Sequence, residues 1–107
     1  MASSFKSYAN SSIGVANTAV FTATDSTTVI GFSLANITDG AITASSFVSK
    51  AGAGTAYIVK DAPIPAGGTI IAVGSEQKVV LEVGDTLNAY SNTASSMDAL
   101  VSTLELS

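Results

Sequence analysis

Between Thr27 and Asn36 the chain alternates in polarity with a period of two. Ile30, Phe32 and Leu34 fall on one side and Gly31, Ser33 and Ala35 on the other. That period belongs to a β-strand with one face in a core, and an amphipathic helix cannot satisfy it. The same rhythm returns at the end of the chain, where Leu100, Leu104 and Leu106 share a side and Thr103 and Glu105 oppose them. Helical patterning is nearly absent. Gly, Asn and Asp interrupt the β-branched runs at short intervals, as they do in all-β chains.

About eight strands are predicted, near Ser12–Phe21, Thr27–Asn36, Ala41–Ser49, Thr55–Lys60, Thr69–Val73, Lys78–Val83, Thr86–Ser91 and Met97–Leu106. Thr69–Val73 and Val79–Leu81 are continuous apolar runs, so both faces of those strands are expected to be covered, by the rest of the fold or by a neighbouring subunit. Asn36-Ile37-Thr38-Asp39-Gly40 reads as a hairpin turn, Ala51–Gly54 as a flexible tip, Gly74–Gln77 as the join between the two most apolar strands, and Gly84-Asp85 as the next turn. The expected architecture is a single antiparallel β-sandwich over residues 1–107, Ig-like or jelly-roll-like, with residues 1–10 as a loose N-terminal arm.

The composition narrows function by exclusion. The 107 residues include four lysines (Lys6, Lys50, Lys60, Lys78) and no arginine, histidine, cysteine or tryptophan. Imidazole, thiolate and guanidinium chemistry are therefore closed to the chain, and no cofactor is expected. A net charge of −4 with scattered lysines offers no basic stripe to displace counterions, so neither nucleic acid nor an anionic membrane surface is an expected partner. No apolar stretch approaches the ~20 residues that span a bilayer as a helix, and the first residues do not read as a secretory signal.

Only 11% of residues are charged, against about 25% in an average soluble protein, while 47% are apolar. Sixteen serines and twelve threonines supply most of the polarity. So few charges protect sheet edges poorly, and burial of surface in a homo-oligomer is the simplest resolution.

Carboxylates are the only acid–base groups present. Glu82 and Asp85 are close in sequence, but a strand residue and a turn residue need no catalytic explanation. Asp61, just before the prolines, stands alone. Asp25, Asp39 and Asp98 lack the dense oxygen-ligand spacing of a calcium loop, so no metal is expected. Gly52 and Gly54 precede a strand, not a helix, which removes a phosphate loop. Asn10-Ser11-Ser12 and Asn36-Ile37-Thr38 match the glycosylation pattern by chance. Core packing is the expectation for most of the aromatics, with Tyr57 and Tyr90 the two that exposure would turn toward glycan binding.

The segment Tyr57-Ile58-Val59-Lys60-Asp61-Ala62-Pro63-Ile64-Pro65-Ala66-Gly67-Gly68, the hairpin Lys78-Val79-Val80-Leu81-Glu82-Val83-Gly84-Asp85-Thr86-Leu87 and the closing Leu100-Val101-Ser102-Thr103-Leu104-Glu105-Leu106 resemble small β-sandwich structural proteins of tailed bacteriophage virions, of the marine and cyanobacterial phage type. The resemblance covers roughly the C-terminal half. It implies a non-enzymatic virion protein, made in the host cytoplasm and released by lysis. It also implies a homo-oligomer, most simply a trimer, that decorates or cements the capsid or belongs to the neck or tail, against major capsid or neck–tail proteins. The alternative is a carbohydrate- or receptor-binding sandwich at a tail or fibre tip. Pro63, Ile64, Pro65, Ile70, Ile71 and Val73 are the expected subunit contacts, with core as the competing assignment.

Overall fold

The structure, a computed structural model, describes residues 3–52, 54–74 and 78–106. Nine strands and no helix are found among them: β1 (Ser3–Ile13), β2 (Thr18–Thr22), β3 (Ser26–Asn36), β4 (Ile42–Lys50), β5 (Gly54–Ile64), β6 (Thr69–Val73), β7 (Val79–Leu81), β8 (Thr86–Ser91) and β9 (Met97–Leu106). They form two antiparallel sheets packed face to face, the expected sandwich. One sheet runs β1-β9-β3-β6 with β7 also paired to β3, and the other runs β2-β8-β4-β5. Absence of helix means that nothing described here crosses a membrane as a helix.

Most turns carry the chain from one sheet to the other. Asn36–Gly40 does not close a hairpin, because β3 and β4 lie in different sheets. A single side chain holds this corner. Asn36 is buried, its amide donates to the carbonyls of Gly40, Ile64 and Pro65 at 2.8–3.1 Å, and its oxygen accepts from the N–H and hydroxyl of Thr38. Those bonds tie the β3–β4 corner to the β5–β6 corner, where Gly68 N–H donates to Pro65 O and Gly67 takes a positive φ of 72°. Gly84-Asp85 likewise turns between sheets. Of the expected Gly74–Gln77 join, Ser75, Glu76 and Gln77 lie outside the described residues, as does Ala53 of the Ala51–Gly54 tip.

The expected arm is instead a strand from Ser3 onward; Met1 and Ala2 lie outside the described residues. β1 pairs with β9 from Ser3↔Leu106 to Asn10↔Ala99, joining the two ends of the chain. Tyr8 explains the docking: its ring packs on Phe21 at 4.9 Å and its hydroxyl donates to Glu105 at 2.5 Å. The single expected strand Ser12–Phe21 is two strands, β1 and β2, in different sheets. The chain crosses at Gly14, where a Cβ would stand 3.1 Å from Ser95 N.

The core contains Val29, Phe32, Leu34, Ile64, Val73, Leu81, Leu87, Met97 and Val101, all nearly or fully shielded from solvent. Val29, and not Ile30, occupies the inward position beside Phe32, because a bulge between Val29 and Gly31 shifts the register against β9. β9 also reverses the simplest expectation. Met97, Ala99 and Val101 face the core, and period two then carries Thr103 and Glu105 inward and Leu100, Leu104 and Leu106 outward.

Candidate functional site: two sheet faces of opposite character

The outer face of the β1-β9-β3-β6 sheet is apolar. Cα partners in adjacent strands share a face, so Phe5, Leu104, Thr28 and Val80 make one row across four strands, and Ala9, Leu100, Ser33 and Ile71 make another. Phe5 is 76% exposed, Ile71 65% and Val80 64%. Two shallow recesses of about 290 and 370 Å³ meet at Ile30 and Ser102 on this face, one walled by Ile71 and Leu100, the other by Phe5. Among the outward positions of these strands only Asp98 is charged, and the half-exposed Lys6 borders the Phe5 recess. Asp98 lies toward the end of the sheet and accepts the Ser12 N–H at 3.0 Å.

The residues expected at a subunit interface divide accordingly. Ile64 and Val73 have no exposed surface and belong to the core, which removes them from any contact set. Ile70 is half-buried against the same core. Pro63 and Pro65 are exposed, Pro63 on the edge strand β5 opposite Thr43, where its missing N–H costs no ladder bond. Ile71 alone of the six opens onto the apolar face. Among the described residues β6 and β7 are thus covered on one side only, and these residues do not supply the expected second cover.

The outer face of the β2-β8-β4-β5 sheet is polar and aromatic. β4 turns Thr43, Ser45, Phe47 and Ser49 outward, β8 turns Thr86, Asn88 and Tyr90 outward, and Tyr57 of β5 pairs with Phe47. The Phe47 and Tyr57 centroids are 5.2 Å apart, Phe47 and Tyr90 6.5 Å, and the two tyrosine hydroxyls meet at 3.1 Å. Lys60 Nζ donates to Tyr90 Oη at 3.3 Å and lies 5.2 and 6.0 Å from the Tyr57 and Tyr90 centroids. A β-bulge delivers it. Val59 pairs with Ser46 and Ala62 with Ala44, so Lys60 and Asp61 together face Ser45. Asp61 takes a φ of 49°, its N–H donates to Ser45 Oγ at 2.9 Å, and its carboxylate lies 3.6 Å from Lys60 Nζ. The hydrogen bond from Tyr57, with those from Ser45 and Lys60, holds the Tyr90 phenol below its ordinary range; the bond to Tyr90 raises Tyr57.

The carboxylates singled out by sequence do not form an acid–base pair. Asp85 is buried, ion-paired with Lys50, and accepts the N–H groups of Ala51 and Glu82 at 2.9 Å. The Lys50 bond first, then these backbone bonds, hold its pKa at about 2. Such a carboxylate is a clamp between the β4–β5 and β7–β8 turns. Sequence reasoning missed Glu105, a buried carboxylate at the same end of the sandwich, level with Thr27 and Leu81. Burial pushes it up, but hydrogen bonds from Tyr8 and Thr103 together with the Lys6 ammonium 3.9 Å away bring the net shift down. Its partner Tyr8 is raised to about 12, chiefly by that same hydrogen bond. The only signal in the sequence was its parity with Met97, Ala99 and Val101. Among the described residues no three acidic side chains converge on a metal position.

Fold and faces together define a class, an antiparallel β-sandwich with one bare apolar sheet face and one hydrogen-bonded aromatic face. Comparison with known proteins adds no relative: no family model, no curated protein and no solved structure matches the chain.

Proposed function

We propose that this chain is a non-enzymatic structural protein of a bacteriophage virion. It works as a homo-oligomer on the capsid exterior or in the neck–tail region, where it holds other virion proteins together by buried area. One observation carries the assembly part of this reading, the sparsely charged apolar face formed by Phe5, Ile71, Val80, Leu100 and Leu106. Exposed apolar sheet of this extent is costly in water, and its removal is the principal gain when β-sandwiches associate. A second copy of the chain suits it. Two such faces carry almost no charge to repel one another, whereas charged partners would leave ions desolvated against isoleucine and phenylalanine. The virion setting rests on the sequence resemblance.

Contact through this face alone makes a twofold dimer, while a trimer requires it to meet a different surface of the next copy. Many copies on a shell then bind by multivalency, so modest single contacts suffice to stabilise the lattice. Light scattering after size exclusion over a tenfold concentration range tests the reading. A stable closed oligomer is expected. A strict monomer throughout overturns it.

A second reading, the carbohydrate- or receptor-binding sandwich, is favoured by a different observation, the contact of Tyr57 and Tyr90 through their hydroxyls on the opposite sheet.

A further inference from the structure

We infer that Phe47, Tyr57, Lys60, Asp61 and Tyr90 form a platform for a neutral glycan, an inference that rests on the second reading and names its ligand class. Three aromatic rings from three adjacent strands stand together on a solvent-facing sheet surface, and Tyr57 is 48% exposed. An aromatic ring face is electron-rich and attracts the polarised C–H groups that line one side of a pyranose. The rim of a sugar carries hydroxyls that both donate and accept, and the platform matches both needs. The two phenols do either, the Lys60 ammonium only donates, and the Asp61 carboxylate only accepts. The bulge that brings both charged residues to the outer face is pinned by Ser45, so the charged pair is held beside the rings.

Charge selects the neutral class. Among the described residues Lys60 is the one cation at the rings, and Asp61 lies 3.6 Å from it. A uronic or sialic acid would bring a second carboxylate to an ammonium already engaged, on a molecule of net charge −4. A neutral glycan meets no such repulsion. Proline-rich peptides, which also favour aromatics, dock in walled grooves. Here the rings lie on one open sheet face, which suits an extended polysaccharide chain.

The experiment is titration of the full chain with maltohexaose, cellohexaose and chitohexaose, with oligogalacturonate as the acidic counterpart. Amide shifts and tyrosine fluorescence provide the readout, the latter undisturbed because the chain has no tryptophan. Saturable shifts at Tyr57, Lys60 and Tyr90 with a Kd of about 1 mM are expected for at least one neutral oligosaccharide, as befits a small exposed contact. Tyr57→Ala, at a half-exposed position that leaves the fold intact by circular dichroism, weakens binding about tenfold or more. Tyr57→Phe keeps the ring and weakens it about threefold. Binding of oligogalacturonate alone overturns the neutral assignment while sparing the second reading. Unchanged binding by Tyr57→Ala overturns the platform and leaves the second reading standing, and no saturable shift with any sugar at about 10 mM overturns the platform and carbohydrate binding together.

Discussion

The two outer faces of this sandwich come from strands of similar composition yet ask for different surroundings. On the β1-β9-β3-β6 sheet the large outward side chains are Phe5, Ile71, Val80, Leu100 and Leu106, none with a polar atom beyond the backbone. On the other sheet they are Phe47, Tyr57, Tyr90 and Asn88, and their polar atoms find one another or neighbouring side chains. A phenol that already has partners gains nothing obligatory from another molecule, but it exchanges those partners at small net cost. An isoleucine facing water has no such option and is stabilised only by removal of its surface from water. The first face is therefore read as a place of assembly and the second as a place of exchangeable recognition.

The comparison is sharpened most by separating core from face within one short segment. Ile64→Ala is expected to cost about 2–5 kcal/mol, as for a fully enclosed aliphatic side chain, and Ile64→Asp to unfold the chain. Ile71→Ala changes monomer stability by less than about 0.5 kcal/mol. Urea denaturation of the variants measures the gap. Equal losses at both positions would mean that Ile71 is enclosed in the monomer and that the apolar face is wrongly drawn.

Next in size is the effect on association. Ile71→Asp combined with Leu100→Asp places two carboxylates on the apolar face and is expected to yield a folded monomer. Thr43→Asp with Thr55→Asp on the opposite sheet leaves the oligomer intact. Sedimentation of the two double variants at matched concentration decides. Dissociation by the second pair and not the first would exchange the roles of the two faces.

A smaller effect lies between the faces, at the turn clamp. Asp85 has a folded pKa of about 2 against an unfolded value of 3.8. The folded state thus binds the proton less readily than the unfolded one. Its contribution is complete above pH ~4 and disappears as pH falls through about 2. Glu105, whose pKa is also lowered, adds to the same acid limb. Thermal melts of Asp85→Asn between pH 2 and 6 are expected to show a flatter acid dependence than the parent chain, with the remaining slope belonging largely to Glu105. An unchanged slope would place acid sensitivity elsewhere.

The smallest effect is spectroscopic. Tyr90 deprotonates below the ordinary value of 10, while Tyr57 is raised and Tyr8 reaches about 12. Alkaline absorbance titration should resolve one early and two late phenols, and Tyr57→Phe should move the early step upward by removing its leading hydrogen bond. Three overlapping transitions near 10 would dissolve the tyrosine pair.

Strand existence was readable because period two survives in a single segment, as in Phe32, Leu34 and Asn36, all of which face inward. Which side of a strand met the core was less readable: one bulge inverts parity within β3, and in β9 an unbroken period two carries polar residues inward. Ile30 reads with Phe32 in the sequence but leaves the core where the Val29–Gly31 bulge shifts the register. Leu100 and Leu104 read as core for the same reason that Thr103 and Glu105 read as surface, and both are reversed. The aromatic site was half legible. Tyr57 and Tyr90 were distinguishable as possible surface aromatics, yet nothing in the chain indicated that residues 33 positions apart touch, or that a bulge aims Lys60 at both.

What the sequence determined by itself was the class: all-β, weakly charged, without the side chains that most catalysis requires. These are local and compositional properties, and each residue carries its share of them wherever it is placed. Only the tertiary structure decided which face of each strand met the core, that β1 closes against β9, and that the tyrosines converge. Those outcomes depend on strand pairing between residues up to 103 positions apart, from Ser3 to Leu106. Pairing is settled by the combined burial of Tyr8, Phe32, Leu34, Ile64 and Val101 and by the hydrogen bonds of Asn36 and Glu105, a sum over the whole molecule that no single segment contains.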